Sequence, residues 1–345
     1  MQTLKVGILG YGLSGRIFHG AIINAVKGFE VTKIVTTDLD KRAQALEDFP
    51  AVKVVRAATE VFVDEEIDLV VVAAPNAKHA ELAEAAMHAG KHVIIEKPYT
   101  VTVDEAKRLI EVAKETDRCL SVYHNRRFDS DFRTVKALLE TDKLGRIVEF
   151  EARFDRFRPA FKESVWKEKA IPGSGVLYDL GSHLIDQAIE LFGLPKEVYA
   201  DIRAQRQGEA DDNFELILYY PEIKVTLKAG MLVKEPSPRF TIYGTQGSFT
   251  KYGLDVQEEN LRNGERPVNE RWGLEPRGLW GTLDSIETKQ KVKSLRGDYR
   301  DYYQNIYDHL VKGEALIVKP EQAQKVIEII ELAIRSNNEK RRISL

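Results

Sequence analysis

The sequence has one cysteine, Cys119, and no apolar run of about 18 residues. A single cysteine excludes an internal disulfide and a thiolate metal site, and the short apolar runs exclude a helix that spans a bilayer. The net charge of −3 lacks the positive excess that favours nucleic acid or an anionic membrane. The opening MQTLKVGILGYGLSG is not typical of a signal peptide, because glycines interrupt its apolar stretch. We therefore expect a cytoplasmic protein.

The length of 345 residues favours two domains. In the first domain, short apolar runs alternate with amphipathic stretches, and the runs lie at 4–10, 30–36, 53–57, 68–74, 92–96 and 119–124. This alternation predicts an α/β fold, with a doubly wound parallel Rossmann sheet over residues 1–124.

The pattern changes after about residue 127, where one helix leads into runs of period two that are joined by tight turns. These runs predict a second, α+β domain over residues 125–345, built on a large, mostly antiparallel open sheet. Residues 254–298 are polar and we expect loops there. The last helix, about 320–338, is a candidate to pack back on the first domain. An open sheet face predicts self-association, as a homodimer or homotetramer.

A glycine loop, Gly10-x-Gly12-x-x-Gly15, follows the first predicted strand and opens the first helix. In that context the glycines permit a tight turn and the approach of a pyrophosphate at the helix amino terminus. The alternative is a tight turn without a ligand. The later strand–helix units favour a dinucleotide site.

The second strand ends in IVTTDLDKR, where a dinucleotide fold commonly carries an acid for the ribose. If Asp38 points at the ribose, NAD is favoured. If Thr37 takes that place, Lys41 and Arg42 could accommodate a 2′-phosphate; the alternative is that both are ordinary solvated helix residues. The residues alone leave this choice open.

Two further strand ends carry candidate residues. After the fourth strand come Pro75, Asn76 and His79, and Asn76 either caps the next helix or also faces the cofactor. After the fifth strand comes Glu96-Lys97-Pro98. A lysine there reaches the edge where open α/β sheets bind ligands, and the alternative is an ordinary surface lysine.

Asp179, His183 and Asp186 recur at steps of four and three in GSGVLYDLGSHLIDQAIELFG, so they share one helical face beside an apolar stripe. This pattern favours acid–base chemistry, with a buried structural histidine as the alternative. Asp-x3-His can also coordinate zinc, but no third ligand with clear spacing is present, and we predict no metal.

Three motifs together resemble the glucose-fructose oxidoreductase/inositol dehydrogenase (Gfo/Idh/MocA) family, and the resemblance covers essentially the whole chain. They are Gly10-x-Gly12-x-x-Gly15, Glu96-Lys97-Pro98 and Asp179-x3-His183-x2-Asp186. YGLSGRIFHG, VYHNRRFDSDF and DRFRP, with KYGLDVQEENLRNGERP, look like the branch that contains bacterial NADP-dependent scyllo-inositol dehydrogenases. The resemblance implies that Lys97 and His183 bracket the reacting carbinol and that Asp179 orients it. It also places Thr37 where NAD-users carry an acid, which favours NADP(H) over NAD(H).

The resemblance adds Trp166 and Arg127 near the nicotinamide and substrate, against the alternatives of a core aromatic and a salt-bridge arginine. Arg153, Asp155 and Arg158 either hold a polyol or form a salt-bridged face. The predicted catalytic residues are Lys97, His183 and Asp179. The predicted cofactor-binding residues are Gly10, Gly12, Leu13, Ser14, Gly15, Thr37, Asp38, Pro75, Asn76, His79, Glu96, Lys97 and Trp166. The predicted substrate-binding residues are Lys97, Asn125, Arg127, Arg153, Asp155, Asp179 and His183.

The activity that we predict is hydride transfer between nicotinamide C4 and a secondary alcohol or ketone of a polyol or sugar, with scyllo-inositol or a keto-inositol favoured. One alternative is an aldose, dihydrodiol or other sugar dehydrogenase on the same scaffold. Another is a non-catalytic NAD(P)-sensing regulator. Family regulators of that kind typically lack the lysine–histidine pair, which this chain retains.

Overall fold

The computed structural model describes residues 2–160, 168–206 and 208–345. These residues divide into two units by their contacts. The first contains Met1–Asn125, Gln257–Trp272 and Asp298–Gln324, and the second contains Arg126–Val256, Gly273–Gly297 and Lys325–Leu345. Each unit is therefore discontinuous in the chain. No helix of the described ranges is both long and apolar enough to cross a membrane.

The first unit is built on a parallel sheet with the strand order β3-β2-β1-β4-β5-β6. β4 is LVVV and is fully buried, as expected for a strand that is covered on both faces. The predicted Rossmann sheet is confirmed, with the strands β1 (Leu4–Leu9), β2 (Phe29–Val35), β3 (Lys53–Val55), β4 (Leu69–Val72), β5 (His92–Ile95) and β6 (Leu120–Val122).

Helices follow the strands of this sheet. The first is a π-helical turn, Ser14–Gly20, that continues as α1 (Ala21–Ile23). A capping box of Thr102 and Glu105 fixes the start of α5, because each side chain bonds to the other residue's backbone N–H. The remaining helices of this segment are α2 (Leu39–Asp48), α3 (Thr59–Phe62), α4 (His79–His88) and α5 (Val103–Glu115).

The second unit is built on a mixed sheet with the order β14-β13-β12-β11-β7-β10-β9-β8-β15, in which the β7–β10 pair is parallel and the other pairs are antiparallel. The predicted mostly antiparallel sheet is confirmed. Its strands are β7 (Ile147–Arg153), β8 (Glu197–Arg203), β9 (Asn213–Tyr219), β10 (Lys224–Gly230), β11 (Phe240–Gly244), β12 (Gly247–Lys251), β13 (Gly281–Ser285), β14 (Lys289–Val292) and β15 (Ile343–Ser344).

The later helices are α6 (Ser130–Leu139), α7 (Ser182–Phe192), α8 (Gln257–Arg262), α9 (Arg300–Lys312) and α10 (Pro320–Glu339). Residues 254–298 are not only loops, as the polar composition had suggested, because they form α8, β13 and β14. β13 and β14 add two strands at one edge of the mixed sheet. The sequence of β14 is KQKV and its side chains are mostly exposed, so it does not show the alternation of apolar and polar residues that predicts a strand.

The two faces of the mixed sheet differ in chemistry. One face is apolar and buried, and its central side chains include Phe150, Leu216 and Leu227. The other face carries ion pairs between neighbouring strands: Lys228 lies 3.2 Å from Glu215, and Lys224 contacts Glu149. We predicted self-association because we expected an exposed apolar face on this sheet. The self-association stays a prediction, but the exposed face carries ion pairs.

Candidate active site

Three of the predicted strand-end motifs meet at one edge of the parallel sheet. β1, β4 and β5 are adjacent and parallel, so their carboxyl ends lie side by side. The glycine loop follows β1, Pro75 and Asn76 follow β4, and Glu96-Lys97 follows β5. The strand order also reverses between β1 and β4, and this switch point opens the crevice in which such sheets bind ligands.

The glycine loop has the geometry that a pyrophosphate requires. Gly10 has a φ of +100°, and a Cβ there would lie 2.6 Å from the Ala73 carbonyl oxygen. A Cβ on Gly15 would lie 2.0 Å from the Gly10 carbonyl oxygen, so the helix can pack this closely only with glycine. A Cβ on Gly12 would face open space, and Leu13 beside it is 47% exposed. The loop therefore fits a dinucleotide, with room beside Gly12 for the phosphates.

The end of β2 separates the roles of Thr37 and Asp38. Asp38 is the N-cap of α2, and its carboxylate accepts hydrogen bonds from the backbone N–H groups of Asp40 (3.0 Å) and Lys41 (3.1 Å). The hydrogen bonds from Lys41 lower the pKa of Asp38. Thr37 is exposed. The acid at this strand end thus caps a helix and pairs with Lys41.

The end of β4 corrects one interpretation of Asn76. The short helical turn Asn76–Lys78 has its N-cap at Pro75 and no side-chain capping bond, so Asn76 is not the helix cap that we considered. Pro75 is exposed and Asn76 is buried.

His79 begins α4 and is fully buried, with Nδ1 2.9 Å from the Pro98 carbonyl oxygen and Nε2 2.9 Å from that of Ala74. Burial lowers the pKa of His79. A neutral imidazole has one N–H, so only one of the two carbonyls accepts a hydrogen bond at a time. His79 therefore lies between the ends of β4 and β5 and contacts the backbone of both.

Glu96 and Lys97 have different surroundings at the end of β5. The Glu96 carboxylate accepts hydrogen bonds from the Ser14 hydroxyl of the glycine loop and from the Lys97 backbone N–H at 2.8 Å. Lys97 is half-buried, and its peptide bond to Pro98 is cis. Ser14 and Glu96, both predicted to contact the cofactor, thus also contact each other.

Two further residues of this region, His19 and Tyr303, were not predicted from the sequence. His19 Nε2 lies 3.2 Å from Glu96 Oε2, and Nδ1 lies 2.6 Å from the Tyr303 hydroxyl oxygen. The His19 ring also packs on Tyr123, with 4.5 Å between ring centroids. Tyr303 is 284 residues from His19 in the chain. No local spacing signals a contact of that separation.

In the second unit, Asp179 and His183 belong to one continuous helical segment. Leu177–Gly181 forms a π-helical turn and α7 follows directly. His183 is 5% exposed and stacks on Phe154 with 6.3 Å between ring centroids, while Asp179 is half-buried. A π-turn at this position is typical of functional sites. The sequence placed these residues on one helix but did not predict the change in helix type.

Arg127 forms a buried ion-pair network. Its guanidinium donates to both carboxylate oxygens of Asp186, at 2.8 and 2.6 Å, and to Glu190 at 3.1 Å. The alternative of a salt-bridge arginine is therefore present in the structure, and a substrate contact by Arg127 stays a prediction. Asn125, predicted with it, is buried in the first unit at the start of the short turn Asn125–Phe128.

Arg153 and Asp155 also pair with each other, at 2.7 Å, and Asp155 accepts a hydrogen bond from the Gly230 backbone N–H. This pairing matches the salt-bridge alternative, while a role in holding a polyol stays a prediction. Arg158 is exposed. Trp166 lies outside the described residues.

Asp179 and Arg158 are among the residues that line a cavity of about 90 Å³ in the second unit. Arg206 in its lining pairs with Asp212 at 2.9 Å. Asp211, also in the lining, accepts a hydrogen bond from the Leu177 backbone N–H at 2.7 Å, at the start of the π-turn. Burial raises the pKa of Asp211 to about 6. The cavity thus combines arginines and acids next to a predicted catalytic residue.

A parallel sheet with its glycine loop at the switch point, joined in one chain to a mixed-sheet unit, is the arrangement of a protein that binds a dinucleotide. Within the described ranges, no group of three or more His, Cys, Asp or Glu side chains is arranged to hold a metal ion.

Family models specify the class further. Residues 4–124 match the model described as "Oxidoreductase family, NAD-binding Rossmann fold", and residues 136–345 match "Oxidoreductase family, C-terminal alpha/beta domain". The chain belongs to the Gfo/Idh/MocA oxidoreductase family. The predicted family and the prediction of an NAD(P)-dependent dehydrogenase or reductase are confirmed.

Individual relatives match all or part of the chain. The chain is 41% identical to scyllo-inositol 2-dehydrogenase (NADP(+)) of Bacillus subtilis, over 100% of this chain and 97% of that protein. A levoglucosan dehydrogenase of Pseudarthrobacter phenanthrenivorans is 32% identical over 56% of this chain and 52% of its own length. A solved structure of an oxidoreductase from Bacillus subtilis, yvaA, superposes with a TM-score of 0.96 at 41% identity, covering 100% of this chain and 99% of that chain.

Proposed function

We propose that this chain catalyses reversible hydride transfer between NADP(H) and a secondary alcohol or ketone of a polyol, with scyllo-inositol and its keto form as the substrate pair. The observation that carries the proposal is the shared edge of the parallel sheet, where Lys97 follows β5 and the glycine loop follows β1 with one strand between them. A lysine at that edge lies beside the place where a nicotinamide nucleotide binds such a sheet.

The proposed chemistry assigns one role to each catalytic side chain. Nicotinamide, when bound, accepts or donates the hydride. In the oxidative direction His183 accepts the hydroxyl proton, since imidazole is the side chain whose ordinary pKa lies nearest neutrality. The Lys97 ammonium stabilises the developing negative charge on the carbinol oxygen, and Asp179 orients the same centre.

The cofactor preference rests on the end of β2. The Asp38 carboxylate is engaged by the amino terminus of α2 and by Lys41, while Thr37 is exposed. We infer that Thr37 faces the ribose and leaves room for a 2′-phosphate. Cofactor binding through Leu13, Pro75, Asn76 and His79 is part of the same proposal.

The substrate assignment draws support from the full-length similarity to a scyllo-inositol 2-dehydrogenase (NADP(+)). Similarity to a levoglucosan dehydrogenase over 56% of this chain supports the alternative of another sugar as substrate. Both share the chemistry of a ring CH–OH group. The cavity beside Asp179 could accept hydroxyl groups, because arginine donors and carboxylate acceptors are among its lining residues.

A substrate screen tests activity and cofactor together. Purified protein is assayed by NAD(P)H absorbance against scyllo-inositol, other inositols, keto-inositols, aldoses, levoglucosan and dihydrodiols, with each cofactor. We expect the highest kcat/KM with an inositol pair and NADP(H). If only a different sugar is turned over, the proposed inositol substrate is wrong. If the protein binds the cofactor but turns over no compound, the alternative of a non-catalytic NAD(P)-sensing regulator is favoured.

The variant Thr37→Asp sharpens the cofactor part of this screen. A carboxylate beside the 2′-phosphate would bring two anions together, so we expect the preference to move toward NAD(H) by about tenfold or more. Thr36→Asp, one residue earlier, is the matched control for added charge. Equal or better use of NAD(H) by the unmodified protein would contradict the proposed role of Thr37.

The cytoplasmic location and a homodimer or homotetramer formed through the mixed sheet remain predictions. Light scattering at micromolar concentration tests the assembly, and a monomeric mass would contradict it.

A further inference from the structure

A buried chain of hydrogen bonds ends at the residue before Lys97. We name it the Glu96 cluster: Ser14, His19, Glu96 and Tyr303. The Ser14 hydroxyl and His19 Nε2 both contact Glu96 Oε2, and Tyr303 contacts the far side of the His19 ring. His19 and Tyr303 are fully buried, and the Glu96 side chain is 12% exposed. The cluster lies wholly within the first unit.

The ionisation state of Glu96 decides which groups of the cluster donate hydrogen bonds and which accept them. Burial alone would raise the pKa of Glu96, but the hydrogen bond and charge of His19, the charge of Lys97 and the Ser14 hydroxyl lower it to about 2. An ionised carboxylate only accepts hydrogen bonds, so His19 Nε2 carries a proton. The Tyr303 hydroxyl then donates to Nδ1 of a neutral ring or accepts from a charged one.

The cluster is linked directly to Lys97. Glu96 Oε1 accepts the Lys97 backbone N–H at 2.8 Å, and the charges of the two side chains attract each other. The other titratable groups that act on this carboxylate are His19 from the π-helical turn, Tyr303 from α9 and His79 from α4, which burial favours in its neutral form. Glu96 therefore supplies negative charge beside a lysine, and the buried cluster holds that charge in place.

We propose that Glu96 is a positioning residue for Lys97: its carboxylate, anchored by His19 and Tyr303, fixes the Lys97 backbone and keeps the side chain in the ammonium form. This inference rests on the proposed catalytic role of Lys97. It gives Glu96 a role toward Lys97, while the predicted contact of Glu96 with the cofactor stays a prediction. Because Ser14 bonds to the same carboxylate, the glycine loop and Lys97 share one anchor.

The test is the pH dependence of kcat/KM for the best substrate of the screen with NADP(H). In Glu96→Gln the side chain keeps its size but loses its charge, so the ammonium of Lys97 is favoured less. We expect the alkaline limb of the profile to move down by on the order of 1 pH unit, because a nearby opposite charge favours the ammonium form and Glu96→Gln removes that charge. The conservative variant Glu96→Asp should keep the limb near its original position, with a lower kcat.

Ser14→Ala is the matched control, because it removes the contact of the glycine loop and leaves the carboxylate. It should raise the KM for the cofactor without moving the alkaline limb. If Glu96→Gln does the same, Glu96 serves the cofactor loop and the inference is overturned. Thermal melting checks that each variant is folded. If Glu96→Gln does not fold, His19→Asn takes its place: its shorter amide releases the carboxylate, and an unmoved alkaline limb would overturn the inference.

Lys97→Ala, measured alongside, separates the two levels of the proposal. A nearly normal rate in Lys97→Ala would mean that the proposed function of Lys97 has failed. An inactive Lys97→Ala with an unmoved limb in Glu96→Gln would mean that only the positioning role has failed.

Discussion

The two units stabilise their predicted catalytic residues in different ways. In the first unit, neutral donors and one histidine converge on a single carboxylate next to Lys97. In the second unit, α7 carries His183 and is held by Arg127, which forms a double hydrogen bond with Asp186. Charge is thus concentrated beside Lys97, whereas it is paired and neutralised near His183. Under the proposed function, Lys97 stabilises negative charge on the carbinol oxygen and His183 accepts the proton, so each unit supplies a different part of the reaction.

Both regions contain a π-helical turn, Ser14–Gly20 in the glycine-loop helix and Leu177–Gly181 before α7. A π-turn widens the helix and changes the directions of the side chains that follow it. In each case the turn contains or directly precedes predicted site residues. Substitutions can test whether the two regions contribute equally.

The largest expected effects come from the catalytic pair. Lys97→Ala should lower kcat by on the order of 10² or more, through the loss of a preorganised charge. His183→Ala should lower it by about 10² to 10⁴, through the loss of the general base, and should flatten the pH–rate profile near neutrality. The double variant should lose less than the product of the two losses, because the residues act on one proton transfer.

Single-turnover rates and melting temperatures of the three proteins check this prediction. Cofactor affinity should change little, because the phosphates are predicted to bind at the glycine loop. A folded Lys97→Ala with a lower melting temperature but a nearly normal rate would assign Lys97 a structural role only.

The next effect concerns the ion pairs of the second unit. Arg127 and Asp186 are 4% and 2% exposed, so Arg127→Met leaves a buried acid without this counterion. We expect a loss of about 3 to 5 kcal/mol in the free energy of unfolding, measured with urea. Replacing Asp186 by Leu in the same protein should recover part of it.

The exposed pair Arg203–Asp201 is the control, with side chains 62% and 41% exposed. Arg203→Ala should change stability by about 1 kcal/mol or less. An equally small effect for Arg127→Met would show that the buried network does not hold α7.

The smallest effect is a pH dependence at Asp211. Its pKa is raised from 3.8 to about 6 by burial, so the folded state binds this proton more tightly than the unfolded state does. The contribution of Asp211 to stability is therefore most favourable below about pH 4 and falls as the pH rises through 6. We therefore compare the free energy of unfolding of Asp211→Asn with that of the unmodified protein. This difference should shift in favour of the variant by on the order of 2 to 3 kcal/mol between pH 4 and pH 7.

Urea unfolding at several pH values measures this shift. Asp201→Asn is the comparison with the opposite pH dependence. Arg203 lowers the pKa of Asp201, so the unmodified protein loses the stabilisation from Asp201 as the pH falls, and the variant does not. A pH-independent difference for Asp211→Asn would contradict an Asp211 that titrates near 6.

The sequence was sufficient for features that depend on local pattern. LVVV of β4 and the amphipathic stretch of α5 identify their elements, and the carboxyl ends of parallel strands bring the glycine loop and Lys97 to one edge. The contacts of His19 and Asp211 were not predictable in this way. His19 finds Tyr303 across 284 residues, and Asp211 finds Leu177 across 34, in each case through packing that no periodicity records.

The division of the chain has a consequence for its synthesis. The six strands of the parallel sheet are complete by Val122, but Tyr303 and Tyr307, whose rings pack edge-on against Phe29, belong to α9. After β6 and before α9, the ribosome must make residues 126–256 and 273–297, which belong to the other unit. The nucleotide-binding unit begins first on the ribosome, yet it lacks α9 until most of the second unit has emerged.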